Sequence, residues 1–154
     1  MTPSKLRVRD PEPADETAWR ELWAQYNDFY EKKVPEAITA HTWRRILDPA
    51  SLILGRLATV DDAVIGFTNS VLHEITWAIA PVCYLEDLFV APTFRGRGCG
   101  RMLIADLIER AKSNGWSRLY WHTRAGNPAR RLYDEFGNAD DFVRYRLFFP
   151  DIML

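Results

Sequence analysis

Midway along the chain the residues read Phe94-Arg95-Gly96-Arg97-Gly98-Cys99-Gly100-Arg101. The apolar, β-rich run 82–90 precedes this stretch, and Pro92 ends that run. Met102, Leu103, Leu107, Ile108 and Ala111 follow at helical spacing as far as Ser113, and Asn114-Gly115 closes the helix. A strand that enters a helix through three closely spaced glycines constrains the fold strongly. Glycine adopts positive φ and lets a ligand approach the backbone. The free N–H groups and macrodipole of the helix start favour an anion by about 0.3–2 kcal/mol per charge. Arg95, Arg97 and Arg101 add full charges, and arginine binds phosphate bidentately. A diphosphate is the natural guest. The spacing is not Gly-x-x-x-x-Gly-Lys-Ser/Thr, and glycines at 96, 98 and 100 do not form Gly-x-Gly-x-x-Gly. The loop also lies after several strands, whereas a dinucleotide fold carries its fingerprint in the first strand-helix turn.

The other segments are read around this junction. Residues 5–9 alternate as a first strand. Trp19, Leu22, Trp23, Tyr26 and Tyr30 mark an amphipathic helix over 15–31 with Asp15 as its N-cap, and a short helix carrying Trp43, Ile46 and Leu47 stops at Asp48-Pro49. Residues 51–59 and 63–72 read as strands joined by a turn at Asp61-Asp62. Residues 116–123 read as a strand, 127–136 as a helix ended by Gly137, and 142–149 as a final strand. The order β-α-α-β-β-β-α-β-α-β predicts a mixed α/β sheet flanked by helices, in a single domain over 1–154.

Composition narrows the function. Twenty Lys+Arg against 21 Asp+Glu leave a net charge of −1, so bulk electrostatics does not favour nucleic acid. No apolar run is long enough for a membrane span, and the start of the chain does not read as a secretory leader. Cys83 and Cys99 lack metal-ligand spacing and are too few for a disulfide framework, so no metal and a reducing, cytoplasmic location are expected. Cys83 reads as a small buried hydrophobe. Six tryptophans and six tyrosines exceed what a small core requires and point to a pocket or a subunit interface.

With these motifs in hand, the chain resembles the GCN5-related N-acetyltransferase (GNAT) superfamily. The loop Arg95-Gly96-Arg97-Gly98-Cys99-Gly100 is similar to that family's Arg/Gln-x-x-Gly-x-Gly/Ala pyrophosphate loop. Tyr84-Leu85-Glu86-Asp87-Leu88-Phe89-Val90 looks like the strand before it, and Asn127-Pro128-Ala129-Arg130-Arg131-Leu132-Tyr133 like its second CoA helix. Within the family, Trp19-x-x-Leu22-Trp23-x-x-Tyr26-x-x-Phe29-Tyr30-Glu31, Leu47-Asp48-Pro49 and Leu119-Tyr120-Trp121-His122-Thr123 resemble small yeast acetyltransferases of histones, polyamines and D-amino acids. Leu85-Glu86-Asp87-Leu88-Phe89-Val90 is similar to spermidine/spermine acetyltransferases.

The resemblance implies a mostly antiparallel, twisted sheet with a splayed central strand pair. It also implies acetyl-CoA as cosubstrate and direct acetyl transfer to a primary amine of a small molecule such as a polyamine or amino acid, within a homodimer. Backbone amides of Leu88, Phe89 and Val90 are expected to bind pantetheine and polarise the thioester. Residues Arg95, Gly96, Arg97, Gly98, Cys99, Gly100 and Arg101 take the pyrophosphate. Asn127 contacts pantetheine, and Tyr133 protonates the leaving thiolate. Glu86 is the expected base and Asp87 the expected cation-binding residue. Tyr26, Tyr30, His73 and Trp77 are expected to border the acceptor, where aromatic walls suit a cation. Two other readings stay open: acetylation of a histone-like lysine, and a non-catalytic acyl-CoA-binding protein.

Overall fold

The computed structural model describes residues 4–149, and the chain divides into two compact units, one reaching to His122 and the other beginning at Thr123. The larger unit carries β1 (Leu6–Arg9), α1 (Glu16–Phe29), α2 (Glu36–Leu47), β2 (Ile53–Val60), β3 (Ala63–His73), β4 (Val82–Val90), α3 (Cys99–Asn114) and β5 (Arg118–Trp121). The five strands form one sheet in the order β1-β2-β3-β4-β5. The first three pairings are antiparallel; a tight turn at Asp61-Asp62 joins β2 to β3, whereas α1 and α2 lie between β1 and β2. The pairing of β4 with β5 is parallel because α3 crosses between them. It lasts only from Val82 opposite Arg118 to Leu85 opposite Trp121, so among the described residues the second half of β4 has no strand on that side.

The two faces of the sheet bury different helices. Trp19, Leu22 and Tyr26 of α1 and Trp43 and Ile46 of α2 pack on Leu57, Phe67 and Phe89. Trp19 is fully buried, with its ring 5.3 Å from Trp23 and 5.1 Å from Trp43. On the opposite face Cys99 and Leu103 of α3 meet Ala58, Ile65 and Val90. Two register shifts break the strict alternation of the strands. Between β2 and β3 the ladder steps past Ile65, which lets it join the α3 face while Phe67 keeps to the other. Between β3 and β4 the ladder runs from Asn69 opposite Asp87 to Ser70 opposite Leu85 and steps past Glu86. A largely buried Arg56–Asp106 ion pair, flanked by the exposed Asp10, ties α3 to the sheet. Arg56 of β2 donates two bonds of 2.8 Å to Asp106 of α3 and one of 2.6 Å to Asp10.

Three sequence expectations are corrected. Asp15 does stand at the N-cap position of α1, but its carboxylate makes no capping bond into that helix. It accepts instead from Arg9 at 2.7 and 2.9 Å and from the Glu12 backbone N–H at 2.7 Å, and Arg9 holds its carboxyl below the usual range. A facing guanidinium outcompetes the neutral N–H groups of the helix start. The helix expected over 127–136 is regular only as α4 (Arg130–Tyr133), the one helix of the smaller unit among the described residues. The chain then tightens into three-residue turns, Glu135 N–H to Leu132 and Phe136 N–H to Tyr133. The strand expected over 142–149 does not form among the described residues, and Phe142, Tyr145, Leu147 and Phe148 are exposed. Alternation alone cannot make a strand, because the ladder bonds come from a partner and the described residues of the smaller unit offer none.

Candidate active site

The glycine loop occupies the junction between β4 and α3. Gly96 and Gly98 adopt φ of 74° and 83°, the left-handed region that a side chain disfavours. A Cβ on either would meet nothing within 4 Å, so the loop is open on its outer side. Gly98 is the N-cap of α3, and its carbonyl accepts the first helical bond, from Met102 N–H at 2.9 Å. The N–H groups of the following turn therefore have no acceptor within the helix. Arg95, Arg97 and Arg101 belong to this turn of the chain. Arg95 donates its Nε to the Val90 carbonyl at 2.9 Å and lies over the Phe89 ring, which braces the loop against β4. Arg97 lies over Phe94. Cys99 is buried, and burial pushes its thiol up, which suits packing rather than a nucleophile.

The bulge in β4 divides the acidic pair. Glu86 has no residue opposite it in β3 and is exposed. Asp87 turns to the α1 face and is only 9% exposed. There it accepts from Asn69 Nδ2 at 3.1 Å and from the Tyr26 hydroxyl. Burial pushes its carboxyl up to about 6; the Tyr26 and Asn69 bonds and Lys32 oppose that rise, and Glu86 adds to it. Tyr26 is itself buried with its ring against Phe67 and Phe89, and burial raises its hydroxyl further out of titration. Tyr30, one turn on, packs edge-on against Tyr26 at 5.0 Å. Immediately beyond Asp87 come Leu88, Phe89 and Val90, in the half of β4 that β5 does not cover.

A second cluster lies where β4 and β5 part. Tyr84 and Tyr120 are paired in register and stack at 5.1 Å. His73 Nε2 is 2.7 Å from the Tyr120 hydroxyl and its Nδ1 is 2.9 Å from the Glu74 carbonyl. Since a carbonyl only accepts, Nδ1 carries a proton towards Glu74, and Nε2 shares the hydrogen bond with the Tyr120 hydroxyl. His122 Nδ1 lies 3.3 Å from the Tyr84 hydroxyl. Trp77 stands 87% exposed in the loop between β3 and β4.

The structure thus brings Tyr26, Tyr30, Glu86, Asp87 and the strand Leu88, Phe89 and Val90 together, and places the loop directly after them. Asn127 and Tyr133 belong to the smaller unit. There Asn127 initiates the turn into α4: its Oδ1 accepts from Ala129 N–H at 3.0 Å and its Nδ2 donates to Thr123 at 2.9 Å. Tyr133 closes α4, and its carbonyl accepts from Gly137 N–H at 3.1 Å. Among the described residues no group of His, Cys, Asp and Glu is arranged to hold a metal ion, and no helix is long and apolar enough to cross a membrane. Asn69 was missed from sequence. Its one signal is a polar side chain on a strand face whose neighbours, Phe67 and Val71, are apolar, and only the register shows what it faces.

The Acetyltransferase (GNAT) family model matches residues 16–137. The D-amino-acid N-acetyltransferase HPA3 of Saccharomyces cerevisiae is 34% identical over 149 residues, which cover 95% of this chain and 92% of that protein. Among solved structures, one described as a probable acetyltransferase superposes with a TM-score of 0.82 at 20% identity, over 94% of this chain and 99% of the other. The aminoglycoside N-acetyltransferase AAC(6')-Iy in complex with CoA gives 0.77 at 23% identity, over 96% and 99%.

Proposed function

Because the chain belongs to the GNAT family of acetyltransferases, we propose that it transfers the acetyl group of acetyl-CoA to the primary amine of a small molecule, a polyamine, amino acid or similar, by direct attack in a ternary complex. The observation that carries this reading is the junction of β4 with α3. An open loop with left-handed Gly96 and Gly98, an uncapped helix start and Arg95, Arg97 and Arg101 within the same turn of sequence suits a pyrophosphate, and it adjoins a strand edge that β5 leaves uncovered. The yeast relative's name favours an amino-acid-like acceptor.

In this reading the N–H groups of Cys99, Gly100 and Arg101, with the side chains of Arg97 and Arg101, hold the pyrophosphate. Arg95 braces the loop from its bond to Val90. Uncovered amides among Leu88, Phe89 and Val90 hold the pantetheine arm and polarise the thioester carbonyl. By its family motif Asn127 is assigned to the pantetheine arm, and Tyr133 to giving its phenolic proton to the departing thiolate. An alkylammonium with a pKa near 10.4 costs about 4–5 kcal/mol to deprotonate at pH 7, and the acidic residues of β4 supply the acceptor for that proton. Tyr30, His73 and Trp77 border the entry of the amine. The protein acts in the cytoplasm as a homodimer, without a metal.

The experiment is release of free CoA from acetyl-CoA against polyamines, L- and D-amino acids, aminoglycosides, arylalkylamines and a lysine-rich peptide. Turnover of one small-amine class is the expected result. Turnover of the peptide alone moves the acceptor to protein, and silence with acetyl-CoA tightly bound makes the chain an acyl-CoA-binding protein.

A further inference from the structure

Partners across a ladder point to the same side of a sheet, and Phe67, Asn69, Val71 and His73 of β3 alternate to one side. Asp87 lies opposite Asn69 and Tyr84 opposite Val71, so both join the face that α1 covers at Phe67 and Phe89. Tyr120 follows through its pairing with Tyr84. His73, Tyr84, Tyr120 and His122 therefore continue the Asp87 face towards β5.

His122 is the exposed member of this group. It follows Trp121, where the pairing of β5 with β4 ends. Its Nδ1 lies 3.3 Å from the Tyr84 hydroxyl, and its ring centre is 5.2 Å from that of Tyr84 and 5.8 Å from that of Tyr120. The two tyrosine rings stack on each other, and His73 Nε2 anchors the Tyr120 hydroxyl at 2.7 Å. An exposed side chain ordinarily keeps its rotamer freedom and loses it when a guest binds. Here three contacts have already fixed the imidazole. Its Nε2 makes no bond among the described residues. Arg118, from the same strand, lies over the Tyr120 ring at 5.3 Å. The group thus presents N–H donors and a cation around two tyrosines, and no member of it is acidic.

We propose that His122 binds the carboxylate of the acetyl acceptor, so that the substrate is an amino acid rather than a polyamine. This rests on the amine-acetylating reading above and names the substrate class within it. Tyr84 is a positioning residue. Its hydroxyl donates to Nδ1, which leaves Nε2 as the N–H that meets the carboxylate. The scale suits such a guest. Where the two strands part, Glu86 and Leu88 are about 7 Å apart along β4. An amino acid can lay its carboxylate at the parting and turn its amine towards Leu88, where the thioester is proposed to lie. Alternation sends Glu86 to the other side from Asp87, so it does not face His122. A polyamine would bring a second ammonium to Arg118 and His122, which hold no negative charge to receive it.

Two measurements test the site. Acetyl transfer is followed with D- and L-amino acids and with the amine that each gives on loss of its carboxylate. The native protein should use the amino acid with a kcat/KM at least about tenfold higher than the matching amine. His122→Ala should raise the amino-acid KM about tenfold or more and leave the KM values for the matching amine and for acetyl-CoA unchanged. Tyr84→Phe keeps the ring and loses the hydroxyl, and should reduce the preference for the carboxylate in the same direction by a smaller factor. Equal use of both acceptor forms, turnover of polyamines alone, or an amino-acid KM unmoved in His122→Ala overturns the proposal and leaves the acetyltransferase reading intact. The second measurement needs no turnover. Proton–carbon NMR follows the His122 ring of the intact chain, assigned by its loss in His122→Ala, during titration with N-acetylalanine or with N-ethylacetamide, which lacks the carboxylate. A saturable shift with the first and none with the second is expected. A His122 signal that ignores N-acetylalanine refutes the site, and a shift in a protein that acetylates no amine separates carboxylate binding from the catalytic reading.

Discussion

A carboxylate taken out of water is destabilised unless its partners restore what hydration supplied. For Asp87 two neutral donors do so only in part. Its pKa rises from 3.8 to about 6 on folding, so the folded state holds the proton more tightly than the unfolded one. The sign follows: folding stability falls as pH rises from about 4 to about 6 and is lower by about 3 kcal/mol above that window. Asp87→Asn is therefore expected to melt several degrees higher than the native chain at pH 8, with the gain disappearing towards pH 4. Thermal melts across that range check it, and no gain at pH 8 contradicts the burial argument. Asp15 has the opposite sign. Its lowered carboxyl supports the fold above the ordinary carboxylate range and loses that support on acidification. At Tyr133 the prediction is kinetic. Tyr133→Phe removes only the phenolic proton and should lower kcat about 10²-fold with acetyl-CoA affinity little changed. Unchanged turnover removes Tyr133 from the acid role. Both residues were legible as candidates from their motif. Alternation already sets Asp87 and Glu86 on opposite sides of the strand; which of them is buried was not legible, because that depends on the register with β3.

Among the elements, the loop and α3 were read most completely in advance. Three glycines, the apolar spacing and the closing Asn114-Gly115 are local signals, and Gly115 does adopt the left-handed conformation that ends α3. Gly98→Ala tests the loop. No neighbour would clash with the new Cβ, so the penalty is the backbone's own, about 1–2 kcal/mol for a side chain at φ 83°. Acetyl-CoA binding should weaken about tenfold by calorimetry, and an unaltered Kd shows that the loop serves another purpose. α1 was read from its aromatic spacing, yet the role of Asp15 was not, because Arg9 reaches it from β1 rather than from its own helix. Strand β4 was delimited correctly. Its loss of β5 after Leu85 exists only once the two strands are paired.

For the whole molecule, residues 142–149 carry the largest unresolved demand. Phe142, Val143, Tyr145, Leu147, Phe148 and Phe149 are exposed on a stretch whose pattern is that of a strand. A second copy of the chain is the occupant we expect, pairing this segment as a strand and covering its apolar side chains. Sedimentation at micromolar concentration should then show a dimer, and removal of residues 142–154 should yield a monomer. A monomeric native chain refutes the pairing. What the sequence determined by itself is local: which segments are helical or extended, where the anion-binding glycines sit, and which family the motifs resemble, since these depend on neighbours a few residues apart. The tertiary structure decided what depends on register and burial. The ladder that steps past Glu86 turns Asp87 inward against Asn69, two residues 18 positions apart, and the short β4–β5 pairing opens the strand edge beside them. Neither is encoded at any single position, because a one-residue slip in pairing would send every side chain of the strand to the other face.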